Sequence, residues 1–364
     1  MAASNSSQPP RAPVVVEGAA RVGPLAIPPV LREMGVDPNE VLVSAAVDPE
    51  LFDNPDNLIT FATAGRLLGA CIARTGCPHF GLLVGQQSGA VSLGLPGLLM
   101  LRSANVGEAL RNLVAHLCLQ DRGAVPTLSV QGKVATLGYA IYEPGVENTD
   151  QIADAAIAIA CNILRALCGP EWVPTQVLFA HRRPADVQPY RSFFRAAVGF
   201  DAVQNALVFP ARWLAQPLPE ANAGLRCRLQ EEVARLDSRY GLSFAAKVRR
   251  ALRAVVIAGN CSAAGVAHSF GLQLRTLNRR LRAEGTTFET LLGEVRHEVA
   301  CQLLGNTNMR VRSVSDALGY ADSAAFTRAF RRWSGTTPAR WRNDNDADKP
   351  SGSTNGPLSA LVDE

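Results

Sequence analysis

At 364 residues, 47% of them apolar, the chain is long enough for two ordinary domains, each with a core of its own. No apolar run approaches the roughly 18–20 residues of a membrane span, and residues 1–8 lack the charged start and apolar stretch of a secretory signal. The net charge is only +4, and the eight cysteines never form Cys-x-x-Cys, so reduced, buried thiols in a cytoplasmic protein are expected and a disulfide framework is not.

Residues 1–20 are Ser, Pro, Gln and Ala without a pattern and read as a disordered tail. Residues 21–223 mix helices with a few strands. Apolar positions at three- and four-residue steps predict helices over 61–74, 106–119 and 150–168. Leu128, Val130, Val134, Thr136, Gly138 and Tyr139 flank Gln131-Gly132 and predict a hairpin. Short strands are expected at 177–179 and 206–209. A charged helix over 225–236 follows, and 237–241 reads as a joint, so 224–241 is taken as a linker between domains.

Residues 242–342 read as all-helical. One helix over 244–256 is followed, after Gly259-Asn260, by a pattern that occurs twice. Val266-Ala267-His268-Ser269-Phe270-Gly271-Leu272 precedes Arg275-Thr276-Leu277-Asn278-Arg279-Arg280-Leu281-Arg282. Val314-Ser315-Asp316-Ala317-Leu318-Gly319-Tyr320 precedes Phe326-Thr327-Arg328-Ala329-Phe330-Arg331-Arg332-Trp333. Two helices that cross sharply need a small residue where they touch and a residue tolerant of positive φ at the turn, and each copy supplies both. The second helix of each pair then offers cations to phosphates and base edges. Between the copies, Thr286-Thr287-Phe288-Glu289 has capping-box spacing. It opens a long helix with Phe288, Leu291, Leu292, Val295, Val299 and Leu303 down one side, closed by Gly305. The fold expected is an α+β N-terminal domain plus an all-α C-terminal domain of two helix-turn-helix lobes joined by a long helix. Residues 343–364 read as a second disordered tail.

Charge follows the same division. Residues 241–342 hold sixteen Lys and Arg against six Asp and Glu, a balance of +10, which leaves −6 for the rest of the chain. Codon preference explains arginine in place of lysine but not that segregation, which is the footprint of a polyanion binder. Catalytic and metal readings are weaker. His297-Glu298-Val299-Ala300-Cys301 has cysteine where a zinc protease needs its second histidine, and a helix face between lobes explains it better. Cys77-Pro78-His79 has no second pair at ligand spacing and is read as a cap before a buried helix. Neither a Gly-x-x-x-x-Gly-Lys loop nor a Gly-x-Ser-x-Gly elbow is present. No enzyme, metal or cofactor is expected.

The residues carry a resemblance. Gly271-Leu272, Arg275-Thr276-Leu277, Arg279-Arg280-Leu281 and Glu284-Gly285-x-x-Phe288 resemble the first half of the signature of AraC/XylS transcriptional regulators. The run from Gly319-Tyr320-Ala321-Asp322-Ser323 through Trp333 to Ser334-Gly335-Thr336-Thr337-Pro338 resembles the second half. Gly94-Leu95-Pro96-Gly97, Ser103-Ala104-Asn105-Val106-Gly107-Glu108 and Asn205-Ala206-Leu207-Val208-Phe209-Pro210 resemble the arabinose-binding-type sensor domain of one branch. That branch holds regulators of ornithine use and of mycobacterial virulence-type operons.

The resemblance implies a homodimeric, nucleoid-associated transcription factor, usually an activator. It would bind double-stranded promoter DNA, contact RNA polymerase and sense a small-molecule effector of unknown identity. It implies exposed Arg275, Thr276, Asn278 and Arg279 on the first reading helix. On the second it implies Ser323, Ala324 and Arg328, with Arg331 near the DNA backbone. Leu277, Leu281, Phe326 and Phe330 fall on the buried side. Three departures stand out. Gln273-Leu274 replaces the usual Ser-Pro-like helix start, Ser315 replaces an alanine at the helix crossing, and Ser323-Ala324 are smaller than usual. The second lobe is therefore expected to grip mainly backbone. Two other readings are an N-terminal domain that only dimerises, and an enzyme with a DNA-binding tail.

Overall fold

The computed structural model describes residues 15–240, 242–257 and 261–347. The N-terminal half is built around one helix, Thr149–Cys168, whose Ala- and Ile-rich sequence is apolar on nearly every face. Its length and composition would let it cross a membrane, but 67% of its most apolar stretch is buried inside the protein. A helix that is hydrophobic all round is a core helix when neighbours cover it. Two apolar cores lie against its two ends, Ile157–Leu167 belonging to one and Ile152–Ala155 to the other.

Strands β1 (Ala19–Arg21) and β2 (Leu58–Thr60) form a small antiparallel pair. Then come β3 (Ala124–Gln131), β4 (Val134–Ile141), β5 (Gln176–Leu178), β6 (Ala197–Gly199) and β7 (Asn205–Pro210). These five form a sheet in the order β3-β4-β7-β5-β6, antiparallel except between β5 and β6. The β3–β4 hairpin turns through Gly132-Lys133, with Gly132 at φ +59°, the positive value that such a two-residue loop demands at its first position.

The helix Phe80–Gln86 meets the core helix closely because two glycines face it. A Cβ at Gly81 would stand 2.1 Å from the Gln151 carbonyl oxygen, and one at Gly85 would stand 2.4 Å from that of Ala155. Gln151 completes the contact: its Oε1 accepts from the Gly81 N–H at 2.9 Å and its Nε2 donates to the Pro78 oxygen at 3.0 Å. The cap expected of Cys77-Pro78-His79 therefore comes from another helix, since His79 sits at the cap position without a side-chain bond.

The C-terminal half is all helix. Phe244–Ile257, Ala263–Ser269 and Leu274–Ala283 form the first lobe. Phe288–Asn306 connects to the second, made of Val311–Ala317, Ser323–Ser334 and Pro338–Ala347. One continuous core runs from Val248 and Leu252 through Val295 and Val299 to Phe326 and Phe330, so the 19-residue connecting helix, about 28 Å long, is shared by both lobes.

Several boundaries differ from expectation. Order begins before residue 21, because β1 starts at Ala19 and Val15 is buried. The last helix runs to Ala347, five residues into the stretch read as a tail. Residues 1–14 and 348–364, like Gly259-Asn260, lie outside the described residues. The linker helix extends over Ala223–Tyr240, through most of the supposed joint, and Arg226 and Glu108 tie it to the N-terminal domain at 3.2 Å. The cap of the connecting helix is Thr287, not Thr286; its Oγ1 accepts from the Thr290 N–H at 3.1 Å, and Glu289 takes no part. Gly305 does not end that helix, which continues to Asn306.

The two halves touch where β3 begins and β4 ends. Arg250 Nη1 donates to the Ala124 oxygen at 3.3 Å and Gln302 Nε2 to the Ile141 oxygen at 2.6 Å. Asn306 Nδ2 reaches Thr149 Oγ1 at 3.0 Å, and the Arg253 guanidinium lies 4.0 Å from the centre of the Tyr142 ring.

Candidate nucleic-acid interface

The two lobes repeat each other down to single hydrogen bonds. Gly271 and Gly319 both take positive φ, +64° and +73°. The Leu272 N–H donates to the Ala267 oxygen at 2.9 Å, and the Tyr320 N–H to the Ser315 oxygen at 3.1 Å. These equivalent positions are 48 apart. The turn is one residue longer in the second lobe, because Gln273 occupies the cap position of one reading helix and Asp322 that of the other. Beyond the turn, equivalent positions are therefore 49 apart. Leu277 matches Phe326 and Leu281 matches Phe330, all four with no exposed surface. Arg279 matches Arg328, and both are exposed.

Cap chemistry separates the two reading helices. Asp322 accepts from the Ala325 N–H at 2.6 Å, whereas Gln273 makes no cap bond, a loss of about 1 kcal/mol of helix stability. The first lobe is fastened at its other end: Glu284 accepts from the Phe244 and Ala245 N–H groups at 2.9 and 2.8 Å, capping the first helix of the domain. The Ala245 amide, joined by that of Phe244, holds this carboxyl below its ordinary range.

The arginines fall into two groups. Arg249 and Arg253 bind Glu298, Arg342 donates to the Leu304 and Met309 oxygens at 3.0 and 2.7 Å, and Arg296 lies 5.0 Å from the Tyr320 ring centre. These hold the domain together. Arg275, Arg279, Arg328 and Arg331 are exposed, with no ion pair or side-chain hydrogen bond among the described residues. Ala324 is exposed with them, while Thr276, Asn278 and Ser323 are half-buried beside them. Arg310 and Arg312, which flank the start of Val311–Ala317, are also exposed, with no partner among the described residues; the charge count included them, but no motif singled them out.

His297 is enclosed by aromatic rings, 5.6 Å from both Phe330 and Trp333, and burial lowers its pKa. Among the described residues no group of His, Cys, Asp and Glu is placed to hold a metal ion. Ser315, at the helix crossing, has no exposed surface, and its Oγ finds no partner among the described residues. Ala267 fills the matching place in the first lobe. Ser315→Ala is therefore expected to raise stability by about 1 kcal/mol, since it removes an unsatisfied buried hydroxyl at no cost in volume. Urea unfolding of the two proteins side by side checks this, and a loss of stability would contradict it.

The N-terminal half contains a deep apolar cavity, bounded by β1, the β3–β4 hairpin and the core helix, with about 940 Å³ of empty space, part of it open to solvent. Sequence periodicity gave no sign of it.

Comparison with known proteins agrees with this division. Residues 35–218 match the arabinose-binding domain of AraC transcription regulators, N-terminal, and residues 266–344 match a helix-turn-helix domain. The ornithine utilization regulator of Pseudomonas aeruginosa is 30% identical over 86% of this chain and 93% of its own length. The HTH-type transcriptional regulator VirS of Mycobacterium tuberculosis is 27% identical over 86% of this chain and 93% of its own. The crystal structure of the transcriptional regulator CdpR from Pseudomonas aeruginosa is 23% identical over 84% of this chain and 96% of its own, with a TM-score of 0.43. The chain is a DNA-binding transcriptional regulator of the AraC family, with a ligand-binding N-terminal domain and a helix-turn-helix C-terminal domain.

Proposed function

We propose that the protein is a transcriptional activator that reads promoter DNA with both lobes and is controlled by a small molecule bound in its N-terminal domain. The observation that carries the DNA-reading part is the equivalence of Arg279 and Arg328. Both stand six residues past the cap of their helix, exposed and without an ion pair or side-chain hydrogen bond among the described residues, whereas Arg249, Arg253 and Arg342 of the same domain are engaged within it. In this reading Arg275, Thr276, Asn278 and Arg279 enter one major groove, where arginine pairs with guanine and asparagine with adenine. Ser323, Ala324, Arg328 and Arg331 meet the next groove, chiefly at its phosphates. The shared helix core supports use of adjacent grooves, which requires two reading helices held about one turn, roughly 34 Å, apart. The functional protein is a homodimer that recruits RNA polymerase, and the effector acts by binding one conformation better than the other.

Footprinting followed by run-off transcription with RNA polymerase on a template carrying the protein's upstream region tests the proposal. Protection of the template with more transcript is expected. Protection with less transcript would make the protein a repressor and overturn the activator reading.

A further inference from the structure

The cavity in the N-terminal domain has a chemistry that its domain's name does not suggest. Nineteen of its 23 lining residues carry apolar side chains or none. A sugar presents a hydroxyl on nearly every carbon, and each one buried without a partner is costly. Only Arg21, Gln120, Asp121 and Tyr139 add polar side chains to the wall.

Most of that polar capacity is already used. Arg21 donates to Asp56 Oδ1 at 2.9 Å and to its backbone oxygen at 3.0 Å. Asp121 is buried; its Oδ1 accepts from the Gly123 and Ala124 N–H groups at 2.9 and 3.1 Å, and its Oδ2 accepts from the Tyr139 hydroxyl at 2.5 Å. That leaves about one of the four acceptor positions of a carboxylate. Gln120 is different. It is only 5% exposed, and its side-chain amide makes no hydrogen bond among the described residues. An amide on the wall of an apolar cavity, without a protein partner but reached from the cavity, is open to a ligand atom.

We propose that this cavity is the effector site and takes an uncharged, largely hydrocarbon molecule with one hydroxyl or amide group, which bonds Gln120 beside Asp121. The assignment rests on the reading of the N-terminal domain as the controlling one. A carboxylate ligand would face Asp121 with the one lining cation already held by Asp56. An ammonium needs three acceptors, and this wall offers one position on Asp121 and one carbonyl on Gln120. A hydroxyl needs one donor and one acceptor, which the Gln120 amide and Asp121 provide together. Occupancy has a direct route outward. Tyr139 also lines a second cavity whose wall includes Gln302 and Leu303 of the DNA-binding domain, and Arg250 of that domain holds the Ala124 oxygen three residues from Asp121.

The test titrates the full-length protein with n-octanol, octanoate, octylamine and arabinose, following heat of binding and unfolding temperature. Octanol is expected to bind at least about tenfold tighter than the other three, as loss of one buried hydrogen bond or burial of a charged group with too few partners implies. Gln120→Leu should weaken octanol by about tenfold without lowering the unfolding temperature of the free protein, because its amide has no partner to lose. Ala160→Leu, which fills the cavity from the core helix, should weaken it as well. Equal or tighter binding of octanoate, octylamine or arabinose would overturn the assignment. So would no binding of any probe, or wild-type affinity in both variants. Promoter binding measured on the same samples separates the two readings. Specific DNA binding without probe binding removes the cavity assignment alone, whereas probe binding as expected without DNA binding removes the regulator mechanism alone.

Discussion

Replacing Glu298 with alanine is expected to cost about 3 kcal/mol or more of stability, because it leaves a buried guanidinium without its counter-ion. Glu298 accepts from both Arg249 and Arg253, and the Arg253 side chain is only 4% exposed. Arg249 keeps Glu294 at 3.5 Å and can turn to solvent, but Arg253 is pinned between the connecting helix and the Tyr142 ring. Glu298 sits in the His297–Cys301 segment, whose sequence reads as a helix face between the lobes, and the structure gives it this electrostatic duty there. Urea unfolding followed by helical circular dichroism measures the effect. A change below about 1 kcal/mol, the usual scale of an exposed pair, would show that the arginines are solvated and the ion pair is incidental.

Arg279→Ala is expected to weaken binding to a specific site by about 1–3 kcal/mol and to relax the preference at one base pair, as loss of a bidentate contact to guanine does. Arg328→Ala, its structural equivalent, should act differently. Its helix begins with Ser323 and Ala324, which offer little to base edges, so the variant should weaken all duplexes alike and reduce the salt dependence by about one counter-ion. Neither side chain supports the fold, since both are exposed and unpaired. Any loss of affinity is thus a loss of contact with DNA. Anisotropy titrations of matched and single-mismatch duplexes at several salt concentrations distinguish the two behaviours. Equal effects on matched and mismatched duplexes in Arg279→Ala would remove that residue from base reading.

The helix-turn-helix lobes were legible because everything that defines them is local. A glycine at positive φ, a small residue at the crossing and a run of cations all fall within about 20 residues, and the pattern occurs twice. The long core helix and the β3–β4 hairpin were legible for the same reason, through their periods and the Gly132 turn. What sequence reading missed depends on contacts between distant segments. Strands β1, β2 and β6 are three residues each and exist only as sheet partners, whereas the strands at 176–178 and 205–210 were expected from their apolar residues. Gln151 caps a helix 70 residues before it. The apolar cavity of the N-terminal half is the extreme case. Its wall draws Arg21, Gln120 and Tyr139 together from three regions of the chain, and a cavity-facing glutamine that bonds nothing among the described residues has no signature in one dimension.

The most direct test of the central claim is selection of binding sites by the full-length protein from a pool of random duplexes. Enrichment is expected of a bipartite site whose halves are centred about 10 base pairs apart, with the stronger sequence preference in the half met by the first lobe and a much flatter one in the other. Enrichment of no motif by folded protein at low salt, or of a single undivided half-site, would contradict the placement of two reading helices in adjacent grooves.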